Sequence, residues 1–211
     1  MSKLLRAYVR RVLHEGIMDP PGLRDLACAH EILSDRAWAT VYVKSIAESI
    51  VEKSEVARAD ALVEADAIVS FVEIRKAKQP CLDAWTIYSA AGDGKFTYGT
   101  AFAMTPTGKL VPDRMSVSPS ARAAWTKQLK KGRKNQPLDD YKHPVTPPEE
   151  DDCMLQDPHY GMDERGPLDR AYEASGWEKE MLDKLAREWS EDVLPKRVAK
   201  LAGHNLFMKV F

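Results

Sequence analysis

The sequence predicts an α/β fold of the α+β kind: a mixed sheet flanked by helices, with an amphipathic N-terminal helix before it and a helical appendage after it. Three observations carry this. Residues 67–74 (AIVSFVEI) and 82–91 (LDAWTIYSAA) are dense in strand formers, and the turn-like AKQP at 77–80 separates them. The glycine turn Gly92-Asp93-Gly94 then opens a helical stretch over 95–104, which Pro106 and Gly108 stop. Leu110-Val111 begins a further short strand, and Ser118-Pro119 starts a further helix. Serine accepts amide hydrogen bonds at the N-cap, and proline fits the first helical position.

In chain order, residues 2–15 (SKLLRAYVRRVLHE) place Leu4, Leu5, Tyr8, Val9, Val12 and Leu13 on one helical stripe, with Lys3, Arg6, Arg10 and Arg11 opposite. Gly16 and Pro20-Pro21-Gly22 end that helix. Its stripe could pack on its own domain, dock on a partner protein through Leu5, Val9 and Val12, or lie on a membrane surface; it is narrow and lacks Trp and Phe, which disfavours the last. Residues 23–34 read as a second helix, 38–43 as a strand and 45–66 as a helix. After 119, Ala121, Ala124, Trp125 and Leu129 share one helical side, and Gly132 stops it. Residues 131–168 hold six prolines and the acidic run PPEEDD, and read as an irregular arm too polar to bury much. Residues 168–203 return to helix, with Ala171, Trp177, Met181, Leu182, Leu185 and Trp189 on one face and Gly203 as its end. The resulting organisation is a docking helix and linker at 1–22, a core at 23–130, the arm at 131–167 and a helical segment at 168–211.

Composition narrows the function classes. With 31 basic and 32 acidic residues the net charge is −1, so nothing in the overall balance asks for a nucleic-acid partner. No apolar run approaches the ~20 residues that span a bilayer. Three cysteines (Cys28, Cys81, Cys153) lie far apart; an odd, sparse count reads as reduced thiols in a cytoplasmic setting. Cys28, His30, Asp151, Asp152, Cys153 and His159 are metal-ligand types without close paired spacing, so no metal is expected. The KQLKKGRK run at 127–134 reads as a solvated helix end or as a face for an acidic partner or nucleic acid. Asp113-Arg114 reads as a structural pair at a strand end or a substrate contact. Trp85, Trp125, Trp177 and Trp189 read as core or interface residues.

The stretch 82–125 has the order strand, Gly-x-Gly, helix, strand, helix. A glycine turn at a helix start lets backbone amides approach an anion, and the helix dipole adds favourable charge there. With Trp85, Gly92, Gly94, Tyr98, Pro112-Asp113-Arg114, Ser116 to Trp125, Pro137-Leu138-Asp139-Asp140, Asp151-Asp152-Cys153 and Leu168 to Tyr172, this stretch resembles GNAT-like (acetyltransferase-fold) proteins encoded by tailed bacteriophages. The N-terminal LLRAYVRRVLHE resembles the same family. The resemblance implies a GNAT-like core in which Gly92, Gly94 and Lys95 would hold acetyl-CoA if any is bound. It also implies other phage structural proteins as partners and a place in the virion after synthesis in the host cytoplasm. Two functions follow from it: a virion-associated structural or accessory protein on a degenerate fold without a cofactor, or an active acetyl-CoA-dependent N-acetyltransferase.

The sequence departs from the family at informative points. Lys95 stands where an apolar or proline start is usual. Asp93 sits at the mouth of the anion site, where its charge opposes a phosphate. Gly99 follows Tyr98 where an acid is usual. The helix expected to offer a tyrosine general acid offers Trp125, and the carboxylates open to a base role, Glu73 and Asp83, have no supporting motif, so the catalytic residues stay unassigned.

Overall fold

The structure is a computed structural model that describes residues 25–53, 58–78, 80–113, 117–142, 144–145, 147, 149–156, 165–186 and 194–210. The N-terminal helix with Leu5, Val9 and Val12 lies outside the described residues. Within them, strands β1 (Leu26–Ile32), β2 (Arg36–Val43), β3 (Ile68–Lys76), β4 (Trp85–Gly92), β5 (Lys109–Val111), β6 (Asn135–Pro137) and β9 (Arg170–Glu173) form a mixed sheet in the order β1-β2-β3-β4-β5-β9-β6. β7 (Asp139–Asp140) and β8 (Asp152–Cys153) make a separate parallel pair. The helices are α1 (Lys44–Lys53), α2 (Ala59–Glu64), α3 (Gly94–Met104), α4 (Pro119–Lys130), α5 (Gly176–Ala186) and α6 (Lys196–Val210).

The mixed α/β class, the antiparallel pairing of β3 with β4, the helix from the glycine turn and the strand at Leu110 agree with the sequence reading. Strand alternation sorts the core into layers. Val72, Ile74, Trp85, Leu110 and Tyr172 pack on α3, α4 and α5 through Phe96, Phe102, Trp125, Met181 and Leu185. Phe71, Trp38 and Tyr42 face the other way, toward α2 and α6. Trp125 is the hub of the first layer, stacked on Tyr172 at 4.9 Å and edge-on to Tyr98 at 5.2 Å.

Four local expectations are corrected. Residues 26–32 are a strand, not helix: β1 pairs along its whole length with β2, and a Leu33 N–H to Arg36 carbonyl bond closes the turn between them. Its first four residues are buried on both faces, so the sequence shows no alternation that would mark a strand. Residues 170–173 are also strand, inserted between β5 and β6; the helix begins only at Gly176. Gly203 does not end a helix but lies inside α6. β4 starts at Trp85 because Cys81, Leu82 and Asp83 all take positive φ (40°, 59° and 55°), a left-handed turn that no strand can contain.

The arm and the thiols differ as well. Residues 131–168 contribute β6, β7 and β8, and they bury Leu138, Cys153 and Leu168 completely. Leu138 and Cys153 cover the face of β5 and β9 that carries Val111 and Ala171. Cys81 and Cys153 form a disulfide across 72 positions, so the expectation of three reduced thiols fails. Spacing alone cannot show that the left-handed turn brings Cys81 under β8. Cys28 is free and buried, and burial pushes its thiol up to about 12. Reducing the disulfide, or replacing Cys81→Ser, is expected to cost about 2–4 kcal/mol of stability. Urea unfolding with and without reductant checks this, with Cys81→Ser, which has no disulfide to lose, as the control that should not respond to reductant. No described helix is long and apolar enough to cross a membrane.

Candidate functional site

The parallel ladder between β4 and β5 has only two rungs, Trp85↔Leu110 and Thr86↔Val111. β5 ends at Val111, whereas β4 runs on to Gly92. Ile87 to Gly92 therefore pair with β3 on one side only. The gap opens a cleft of about 630 Å³ whose far wall is the N-terminal half of α4 and whose end is closed by Phe207 and Val210 of α6. Asp113 also lines it; Arg114, its sequence partner, lies outside the described residues.

The strand at the cleft is bulged. Glu73 faces Ser89 and Ile74 faces Ile87, so Tyr88 is an extra residue on β4. The bulge turns Tyr88 outward, 54% exposed, where the Arg75 guanidinium lies 3.2 Å from its ring centroid. It also sets Ser89, 7% exposed, opposite Glu73. Ser89 lines the cleft with its Oγ buried and without a hydrogen-bond partner among the described residues. An unpaired buried hydroxyl costs about 1–3 kcal/mol, which a ligand carbonyl or amide would recover.

Beyond the cleft, the chain turns into α3. Gly92 has φ +95°, and a Cβ there would lie 2.2 Å from the Val69 carbonyl oxygen, so only glycine fits. That glycine serves the close passage over β3. A Cβ on Gly94 would meet only the Tyr98 ring at van der Waals distance. Asp93 is the N-cap of α3: its Oδ1 accepts the Lys95 N–H at 2.8 Å. The helix end that the resemblance assigns to a phosphate is thus occupied by the chain's own carboxylate.

Of the sequence-derived site residues, Gly92 and Gly94 line the cleft, and Lys95 lies on an adjoining groove. Neither base candidate reaches the cleft. Glu73 is held by Arg75, whose Nη2 is 3.0 Å from Glu73 Oε1, and by His204, whose Nε2 is 3.6 Å from Oε2. Burial is the main cause holding the His204 imidazole below its usual range, against the opposing pull of Glu73. Asp83 pairs with Lys76 at 3.1 Å on the left-handed turn.

Two residues of the site escaped the sequence reading of function. Ser89 gave no signal, because a serine at an inward position of an alternating strand does not by itself mark a site. Tyr98 lines both the cleft and the groove, and burial pushes its hydroxyl up to about 12, so it stays protonated through the neutral range. Of the tryptophans read as core or interface residues, Trp85 and Trp125 are core, Trp177 is 46% exposed, and Trp189 lies outside the described residues. No group of His, Cys, Asp and Glu suited to a metal ion occurs among the described residues.

No protein family model, no curated protein and no solved structure matches this chain.

Proposed function

We propose that the chain is a GNAT-like scaffold that works as a structural or accessory component of a tailed-phage particle. In this reading its cleft belongs to the acetyltransferase plan, and its phosphate-binding helix end no longer accepts a phosphate. The sheet order, the parallel β4–β5 pair with α3 between the two strands, and the glycine turn support the GNAT-like assignment. The observation that carries the loss of cofactor binding is Asp93. Its carboxylate takes the Lys95 amide and places a negative charge where the pyrophosphate of acetyl-CoA would sit. Neither sequence-derived base candidate stands in the cleft, since Glu73 and Asp83 are engaged elsewhere.

Calorimetry with acetyl-CoA tests the cofactor half of this reading. Wild-type binding is expected to be weaker than micromolar, that is, weaker than about −8 kcal/mol. Replacing Asp93→Ser keeps a capping oxygen and removes the charge, and should strengthen acetyl-CoA binding by about tenfold. Micromolar binding by the wild type, unchanged by Asp93→Ser, would overturn it. Mass spectrometry of particles purified from cells that make this chain tests the other half: the chain is expected in the particle at stoichiometric level, and its absence there would end the virion assignment.

A second reading, an active N-acetyltransferase, is favoured by one feature. The free edge of β4 and the unpaired Ser89 hydroxyl suit an extended arm bearing amides, such as the pantetheine of acetyl-CoA. In that case Tyr98, protonated and at the cleft wall, is the group able to donate a proton to a leaving thiolate. Acetyl transfer to an amine that disappears with Tyr98→Phe would establish this reading in place of the first.

A further inference from the structure

Among the described residues, opposite faces of the sheet carry charged side chains of opposite sign that are in no ion pair. On the helical face, a groove of about 1020 Å³ runs between α3, α4 and α5. Two cations in it are already paired within the chain, Arg133 with Glu178 and Lys134 with Glu173. Lys95, Lys127 and Lys131 also line it, and all three are exposed. Among the described residues none of these three is in an ion pair. Lys127, in the last turn of α4, and Lys131, its C-cap, stand about one turn apart. Trp177, 46% exposed, forms the apolar part of the wall.

The acidic segment lies on the other face. Alternation along β5 sends Leu110 toward α4 and Val111 away from it, and β9 does the same with Tyr172 and Ala171. Val111 and Ala171 carry Cys153 and Leu138 on that far side. Just before Cys153 come Glu149, Glu150, Asp151 and Asp152, the first two exposed and none of the four in an ion pair among the described residues. Asp151 is 5% exposed, and its Oδ1 has no hydrogen-bond partner among the described residues; neither has Asp152 Oδ1. Burial, and then the charges of Asp139 and its neighbours, raises both carboxyls above their ordinary range. Within the cluster Asp139 is paired with the buried Arg165 at 3.7 Å, and Glu149 to Asp152 have no such pair among the described residues.

The sheet stands between the two features, and the disulfide to Cys81 holds the acidic segment on its side. They cannot neutralise each other within one chain. We propose that they meet between chains: the acidic face of one copy, led by Glu149 and Glu150, docks in the Lys95–Lys127–Lys131 groove of the next. The contact joins unlike surfaces and leaves one free face at each end, so it builds a head-to-tail series rather than a closed two-fold pair. Its electrostatic character makes it sensitive to salt. It does not depend on the virion assignment, and absence of the chain from particles would leave it standing.

Light scattering coupled to size exclusion tests this on the full chain. At low ionic strength the wild type is expected to show concentration-dependent association, weakened about tenfold or more at high salt. The basic-face variant Lys127→Ala/Lys131→Ala and the acidic-face variant Glu149→Gln/Glu150→Gln should each be monomeric. These positions are exposed, and unchanged circular dichroism confirms that each variant folds. Mixed in equal amounts, the two variants retain one intact face of each kind between them, and should form a one-to-one dimer that grows no further. A wild type that stays monomeric at low salt overturns the proposal. So does association that survives both variants, or a mixture that fails to pair although the wild type associates.

Discussion

Replacing Gly203→Ala is expected to destabilise the protein by about 1–3 kcal/mol, and Gly203→Val to prevent stable folding at room temperature. The sign is the reverse of the usual one. Inside a helix, glycine is worse than alanine by roughly 0.5–1 kcal/mol, so an unconstrained substitution would stabilise. At Gly203, however, a Cβ would lie 2.2 Å from Cδ2 and 2.7 Å from Cγ of Phe71, and 2.7 Å from Oγ1 of Thr40. Phe71 and Thr40 are fully buried on β3 and β2. They cannot yield without displacing the layer that contains Trp38, Tyr42 and Leu62. The close approach is general along α6: Ala199 and Ala202 are also fully buried, and the Thr40 hydroxyl donates to the Ala199 carbonyl at 3.0 Å. Gly176, with nothing within 4 Å of an added Cβ, is the control position, and Gly176→Ala should leave stability within about 0.5 kcal/mol. Thermal unfolding of the three variants decides; a stabilised Gly203→Ala would mean that α6 does not lie this close to the sheet.

The same glycine shows where sequence reading stops. As a letter, glycine late in an apolar helix is a stop signal, and only the neighbouring strand reveals that it is a contact surface. β1 is a parallel case. Its Leu-Ala-Cys-Ala start is buried on both faces, so period-two alternation, the sign by which strands are read, is absent. By contrast β3, β4 and the cap at Ser118 are local statements: β-branched runs for the strands, and a hydroxyl that accepts the Ala121 N–H for the helix. Those parts could be read directly.

The candidate site divides in the same way. Gly92-Asp93-Gly94 marks a helix start, and the charge of Asp93 at that point is visible in the sequence. The cleft itself is not, because it exists through an absence. β5 stops after three residues, and β9 arrives from far along the chain to take its other edge. The extra residue at Tyr88, which sets Ser89 opposite Glu73, appears only when β3 and β4 are put in register. The disulfide likewise joins segments 72 positions apart through a left-handed turn that no residue in Cys-Leu-Asp announces.

Removing Glu178 is expected to be the most damaging single deletion of a charge, costing about 3–5 kcal/mol. The sequence Ser175-Gly176-Trp177-Glu178 is a capping box: the Glu178 carboxylate reaches back to accept the Ser175 N–H at 2.7 Å and the Ser175 hydroxyl at 2.7 Å. Its other oxygen takes Nη2 of Arg133, and the two side chains are 0% and 10% exposed. Arg133 follows Gly132, the positive-φ residue beyond the end of α4. Its guanidinium also donates to Gln128 Oε1 and to the Glu173 carbonyl, and it lies 4.1 Å from the centroid of the Phe102 ring. One buried ion pair therefore joins the end of α4, the start of α5, the body of α3 and the end of β9. Glu178→Ala leaves a buried guanidinium with no counter-charge and uncaps α5 at the same time. Arg133→Met should cost less, because Glu178 keeps its bonds to Ser175. If the damage comes from the orphaned charge, the double variant Arg133→Met/Glu178→Leu must be more stable than Glu178→Ala alone, since it buries apolar surface instead of an unpaired ion. Urea unfolding of these variants, with Glu178→Leu as the second single variant of the cycle, measures the coupling. Simple additivity, with the double variant the least stable of all, would show that the pair acts only through its separate hydrogen bonds and that its burial sets no penalty.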